Sequence, residues 1–246
     1  MIGTEGTSGR FFKPLKRGLL SVTDALFPAY CLSCGRRTEE GRRFLCKSCF
    51  DLLPRDLPES DYYGAVARLA GLSPFAEYRS DLLFSRFNAS RLLLHQIKYR
   101  DCPEIAYRLA KAFASGHRAK GHFSDVSIIL PIPLAPGRMR QRGYNQSDYI
   151  ARGLSEGLGV PVRSDLLARR ESTGSQTGRG KSSRWEELEG LFYLPKPSEV
   201  RDRRLLICDD LLTSGSTLLH AAGALLSSET PPESLSYYTL FLNFVP

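Results

Sequence analysis

Short apolar runs alternate with amphipathic stretches over most of the chain, and that alternation sets the expected architecture. Leu205–Cys208 is apolar at every position, and Val126–Leu130 nearly so, as strands of a parallel sheet must be when helices cover both faces. Val66–Tyr78 suggests further strand structure, and a last strand is expected around Tyr237–Phe244, after the Pro231-Pro232 turn. Between these runs the pattern changes to helical spacing. Asn88 is placed to cap a helix through His95, and Pro103 suits the first turn of a helix to about Phe113. Further helices are expected at Ser147–Leu158, ended by Gly159, and at Leu218–Ser227. Strands alternating with helices predict an α/β domain with a mostly parallel sheet flanked by helices.

The amino-terminal part lacks this rhythm. Residues 1–27 read as a flexible tail, rich in Gly, Ser and Thr to residue 13, with a short helix at about Leu15–Leu26. Residues 28–62 hold four of the six cysteines and end in Pro54, Pro58 and the polar Glu59-Ser60-Asp61, read as the boundary of a small module. Residues 63–246 form the α/β domain. Residues 169–184, rich in Arg, Ser, Gly and Thr without apolar period, are expected to be a mobile loop. With 246 residues, 42% hydrophobic and 24% charged, the composition is that of a soluble globular protein. Its longest apolar runs fall far short of the roughly 18–20 residues of a membrane span, and no small-residue cleavage site follows the basic residues near the start. A cytoplasmic protein is the expectation.

Chemistry concentrates at residues 205–217. The strand Leu205–Cys208 delivers Asp209 and Asp210 at its carboxyl end, where open α/β sheets bind ligands. Thr213, Ser214, Gly215, Ser216 and Thr217 follow, with backbone amides and hydroxyls at the start of a helix, a cradle for phosphate. Carboxylates one step upstream are placed to accept hydrogen bonds from sugar hydroxyls, so the pair of features points to a sugar phosphate. No Gly-Lys-Ser/Thr is present, which excludes the Walker type of loop.

The formal net charge of +8 changes the picture through its distribution. Ten Lys or Arg face four Asp or Glu between Arg138 and Arg184, so an anionic partner is expected there. After Leu130-Pro-Ile-Pro-Leu134, Arg138, Arg140 and Arg142 occupy alternate positions of a predicted loop, and Gly143-Tyr144-Asn145-Gln146 adds neutral donors. Planar guanidinium forks suit a pyrophosphate group.

Cys31-Leu-Ser-Cys34 and Cys46-Lys-Ser-Cys49 are two knuckles separated by eleven residues. Cys31, Cys34, Cys46 and Cys49 therefore suit a closed, structural Zn²⁺ site, with an iron–sulfur cluster as the less favoured alternative. Arg36, Arg37, Arg42, Arg43 and Lys47, with Phe44 and Phe50, mix cations and rings as single-stranded nucleic-acid binders do; a solvated basic face is the equal alternative.

Asp-Asp-x-x-Thr-Ser-Gly-x-Thr at 209–217 resembles the phosphoribosyl pyrophosphate (PRPP) motif of type I phosphoribosyltransferases. Together with the four cysteines, Pro-x-Pro, Arg142-Gly-Tyr-Asn-Gln146 and His95-Gln-Ile-Lys-Tyr99, it looks like the ComF family of phosphoribosyltransferase-like proteins associated with DNA uptake in competence. The resemblance covers about residues 28–244 and implies a type I phosphoribosyltransferase-like fold that binds PRPP with Mg²⁺. By position it implies that Asp209 and Asp210 hold the ribose hydroxyls and that Thr213–Thr217 wrap the 5′-phosphate. Lys98, Arg138, Arg140 and Arg142 would meet pyrophosphate. It further implies single-stranded DNA and other DNA-uptake proteins, such as a helicase, as partners. Gln176 matches the family's glutamine. Arg184-Trp-Glu-Glu187 departs from its Arg-x-x-Asn, and Thr213 stands where purine-salvage relatives carry an aspartate base, which disfavours purine salvage.

Overall fold

The strand at 204–212 lies inside the sheet of the α/β unit, paired on one side with the strand at 234–243 and on the other with the apolar run at 128–131. The computed structural model describes residues 29–39, 44–55, 57–71, 74–85, 89–171 and 190–243. The expected tail and helix at 1–27, Asn88, Gln176 and Arg184–Glu187 lie outside the described residues. The chain divides into two units, Met1–Leu53 and Pro54–Pro246.

The first unit contains a turn at Cys31–Gly35, closed by Gly35 N–H donating to Cys31 O at 2.8 Å, and the short helix α1 (Lys47–Asp51). An antiparallel bridge pairs Tyr30 with Arg37.

The second unit runs α2 (Glu59–Ala70), β1 (Phe75–Phe84), α3 (Ala89–Tyr99), α4 (Glu104–Ala119), β2 (Ile128–Pro131), α5 (Pro136–Arg142), α6 (Gln146–Leu158), β3 (Ala168–Arg169), β4 (Phe192–Tyr193), β5 (Arg204–Leu212), α7 (Ser216–Leu226) and β6 (Ser234–Asn243). Four strands form one sheet in the order β1-β6-β5-β2, every neighbouring pair parallel. The expected parallel sheet with flanking helices is therefore present. β3 and β4 form a separate antiparallel pair.

One face of the sheet packs Leu205, Ile207, Leu235 and Tyr237 against Ala65 and Leu69 of α2 and Leu218, Ala221 and Leu225 of α7. Burying each such large side chain contributes about 1.5–3 kcal/mol. α4 and α6 pack together elsewhere on the sheet. Their contact needs glycine: a Cβ at Gly153 would lie 2.4 Å from Tyr107 O, and one at Gly157 2.3 Å from the Ala114 Cβ. No helix among the described residues is long and apolar enough to cross a membrane.

Four expectations are corrected. Strand structure over Val66–Tyr78 is replaced by α2 and then β1. The polar Glu59-Ser60-Asp61, read as a boundary, is the first turn of α2, where carboxylates favour the helix dipole, and Ala65 and Leu69 sit one turn apart in the core. The two compact units divide after Leu53. The loop after β2 contains a helix, α5, begun by Pro136. Finally, Ala168–Arg169 is paired strand and not the start of a mobile loop, while residues 172–189 lie outside the described residues.

Candidate functional site

β5 runs four residues further than its apolar core, so Asp209 and Asp210 are held by the sheet itself at its carboxyl end. Asp209 is half-buried and Asp210 buried. Asp209 Oδ1 accepts from the Ser147 hydroxyl at 3.0 Å and from the Asp210 amide at 2.8 Å. Burial, and then the neighbouring Asp210 charge, push Asp209 up to about 7. Asp210 Oδ1 takes an ion pair with Lys98 Nζ at 2.9 Å. Its Oδ2 is buried without a hydrogen-bond partner among the described residues. Such an oxygen is costly unless something completes it.

Beyond β5, Thr213 and Ser214 are exposed and Gly215 turns the chain into α7 with φ 83°. That left-handed conformation is one that glycine adopts without strain. Ser214 Oγ donates to Ser216 Oγ at 3.2 Å and accepts from the Ser216 amide at 3.4 Å. The N-cap glycine has no side chain to cap α7, which leaves first-turn amides available to an anion.

The arginines do not act as a row. α5 is helical, so Arg138 and Arg142 lie one turn apart on one face while Arg140 turns away. Arg138 and Arg142 line a pocket of about 490 Å³ with Lys98, Tyr99, Asp101, Gln141 and Tyr144. Arg140 lies 3.8 Å from Glu171. Lys98, at the end of α3, thus stands between the pocket and the carboxylates.

Gly143-Tyr144-Asn145-Gln146 is framework and not a set of ligand donors. Tyr144 Oη donates to Ile97 O at 2.5 Å, which ties the arginine helix to α3. Asn145 Nδ2 donates to Ile132 O at 3.0 Å, and its Oδ1 caps α6 through the Ser147 amide. Gln146 Oε1 accepts from Arg142. All three side chains are buried. Sequence reasoning missed Ser147; its available signal was a hydroxyl in the first turn of the helix that directly follows the arginine segment.

In the first unit, Cys31, Cys34, Cys46 and Cys49 place their sulfurs within 4.8 Å of one another, and Cys34 and Cys46 sulfurs lie 3.8 Å apart. A tetrahedral ion with metal–sulfur bonds of about 2.3 Å holds its sulfurs ~3.8 Å apart, so the donor set fits. Arg36 Nε lies 3.5 Å from Cys34 Sγ and holds that thiol down at about 6. The charge of Arg36 is therefore directed at sulfur, and Lys47 pairs with Asp51 at 2.5 Å, so the basic face is less free than its composition suggests. Arg42 and Arg43 lie outside the described residues.

No protein-family model matches the chain. Among curated proteins it is 36% identical to Competence protein F of Haemophilus influenzae over 91 residues, 37% of this chain and 40% of that protein. It is 31% identical to DNA utilization protein YhgH of Escherichia coli O157:H7 over 138 residues, 55% of this chain and 60% of that one. Competence protein ComFC of Bacillus subtilis is 29% identical over 147 residues, 60% of this chain and 57% of that protein. The chain is a homologue of these competence and DNA-utilization proteins. The resemblance to the ComF family is thereby borne out, with matches that span about 40 to 60% of the relatives' own length. Similar solved structures include a glutamine PRPP amidotransferase from B. subtilis, 14% identical, covering 59% of this chain and 30% of that one with a TM-score of 0.39. Another is an adenine phosphoribosyltransferase from Saccharomyces cerevisiae, 18% identical, covering 59% and 72% with a TM-score of 0.36.

Proposed function

We propose that this protein serves DNA uptake and binds PRPP with Mg²⁺ at the carboxyl end of β5, with a structural Zn²⁺ on its four cysteines. The observation that carries the PRPP reading is the buried Oδ2 of Asp210, without a hydrogen-bond partner among the described residues, beside Asp209 and within reach of a cationic pocket. A ribose hydroxyl supplies the missing donor. Asp209 and Asp210 hold the ribose, residues 213–217 take the 5′-phosphate, and Lys98, Arg138 and Arg142 face the pyrophosphate. Mg²⁺ would neutralise the polyphosphate oxygens. Arg140, turned toward Glu171, is left out of the site.

The DNA-uptake reading is supported by the relatives' names, and single-stranded DNA is its partner. The alternative reading, an active phosphoribosyltransferase on an unknown acceptor, is favoured by one observation. Asp209 titrates at about 7, as a group that exchanges a proton near neutral pH must. Pyrophosphate release in a screen of base and amine acceptors tests it.

Calorimetry with PRPP and Mg²⁺ tests the pocket. Wild type binds, and Asp210→Asn, which loses the acceptor charge, binds about tenfold or more weakly. Absence of binding by wild type overturns the reading. For DNA, affinity for a single-stranded oligonucleotide is measured against salt; a log–log slope near zero excludes phosphate contacts as the main attraction.

A further inference from the structure

α3 exposes rings and cations but no carboxylate. Ser90, Leu93, Leu94 and Ile97 form its buried face, which leaves Arg91, His95 and Tyr99, at every fourth position, in a stripe on the exposed one. Four residues of helix rise about 6 Å, so the stripe is a line of side chains along the axis. The His95 and Tyr99 rings lie 5.3 Å apart between centroids, tilted by 48°. Tyr99 is 68% exposed. The Arg142 guanidinium carbon stands 5.6 Å from the centre of its ring, and Arg142 is itself held by a hydrogen bond to Gln146. The tyrosine ring is therefore steadied by a cation and otherwise open to solvent.

Charge pairing here differs from that elsewhere on the α/β unit. Lys111 pairs with Glu156, Arg163 with Asp165 and Glu199, and Arg204 with Glu233. Arg91 and, just past the helix, Arg100 are exposed and make no ion pair among the described residues. Beyond Tyr99 the stripe opens on the pocket of Arg138 and Arg142, whose lining holds one acid, Asp101. Positive charge thus continues from the helix into the pocket.

A solvated helix face normally sets acids against its bases at helical spacing. Unopposed cations in a line repel one another and gain from a polyanion. Exposed rings between them offer what a phosphate alone does not use, flat faces on which unpaired bases stack. A duplex keeps its bases stacked on one another, so the combination selects a single strand. We propose that single-stranded DNA lies along α3, with bases stacked on His95 and Tyr99 and phosphates held by Arg91 and Arg100. The assignment rests on the DNA-uptake reading and gives the strand a place on the α/β unit. In the cysteine unit, by contrast, Arg36 is directed at Cys34 and Lys47 at Asp51.

The test is fluorescence anisotropy of a labelled oligothymidine, single-stranded and annealed to its complement, with wild type and single-residue variants. Tyr99→Ala and His95→Ala are each expected to weaken the single strand by about 5- to 100-fold, the loss of one stacked base. Tyr99→Phe keeps the ring and is expected to stay within about threefold. Arg91→Gln should reduce the magnitude of the log–log salt slope by about 0.7, one phosphate contact. Tyr63→Ala removes a ring of α2 that is 63% exposed, and should leave affinity within about twofold. His95 and Tyr99 are exposed, so their truncation leaves the fold intact; should one variant fail to fold, the other reads the stripe independently. Wild-type affinity in both alanine variants, or a duplex bound as tightly as the single strand, overturns this inference alone. Failure of wild type to bind the single strand overturns the reading of single-stranded DNA as a partner beneath it.

Discussion

Replacing Asp209 by Asn should stabilise the fold, and by more as the pH rises. The carboxyl of Asp209 titrates at about 7 in the fold against an ordinary 3.8. Between those two values the folded chain holds a proton there that the unfolded chain has released, so stability falls as pH rises through the window. At ~1.4 kcal/mol per pH unit the full difference is an upper bound of about 4 kcal/mol. Asp209 is only half-buried and solvent screens part of its charge, so roughly half of that, about 2 kcal/mol, is the expected gain. Asparagine keeps the oxygen that accepts from Ser147 Oγ and from the Asp210 amide, so the substitution removes charge and little else. For a domain of this size the gain corresponds to a melting temperature raised by about 4–8 °C. The assay is thermal unfolding followed by circular dichroism at pH 5 and pH 8.5 for both proteins. The variant should exceed wild type at both pH values, but at pH 5, about a third of the way through the window, by only about a third of the gain reached at pH 8.5. A displacement equal at both pH values, or absent at both, would refute the reasoning. Stability gained by removing a charge should be matched by weaker PRPP binding, as when strain is stored at a functional site.

Gly215→Ala should cost about 1–2 kcal/mol in urea denaturation, because φ is 83° there and an alanine must adopt the left-handed region. A Cβ at that position meets only ordinary contacts, 3.6 Å from Leu212 Cδ1 and 3.8 Å from Leu69 Cδ2, so a loss above ~3 kcal/mol would point to a clash and count against this account. Removing metal with a chelator, or Cys31→Ser, should collapse the cysteine unit while the melting transition of the Pro54–Pro246 unit persists, because such a small unit draws much of its folding free energy from the ion. Zinc content by atomic absorption and two-transition calorimetry check this; simultaneous loss of both transitions would contradict it.

The parts of the fold legible in the sequence are those where one local rule suffices. A strand covered on both faces must be apolar throughout, which made Leu205–Cys208 recognisable, and its carboxyl end then located Asp209 and Asp210. Cysteine spacing brought four sulfurs to one place for the same reason, since each knuckle is a local turn. Local pattern misled where polarity has two meanings. Glu59-Ser60-Asp61 serves a linker or a helix first turn equally well, and only packing of Ala65 and Leu69 on the sheet decides.

The same holds for the site. By itself the sequence determined which chemical groups are present: two carboxylates, a hydroxyl and glycine turn, a supply of arginines and four thiols. It did not determine which of them face one another. Helix formation by α5 separates Arg140 from Arg138 and Arg142, and buried contacts of Tyr144, Asn145 and Gln146 turn apparent ligand donors into supports. The pairing of β3 with β4 makes Arg169, in a segment that looked structureless, part of a strand held against Phe192. These assignments depend on contacts between residues far apart in the chain, and the free energy that selects them, burial and charge pairing, exists only once the sheet has assembled.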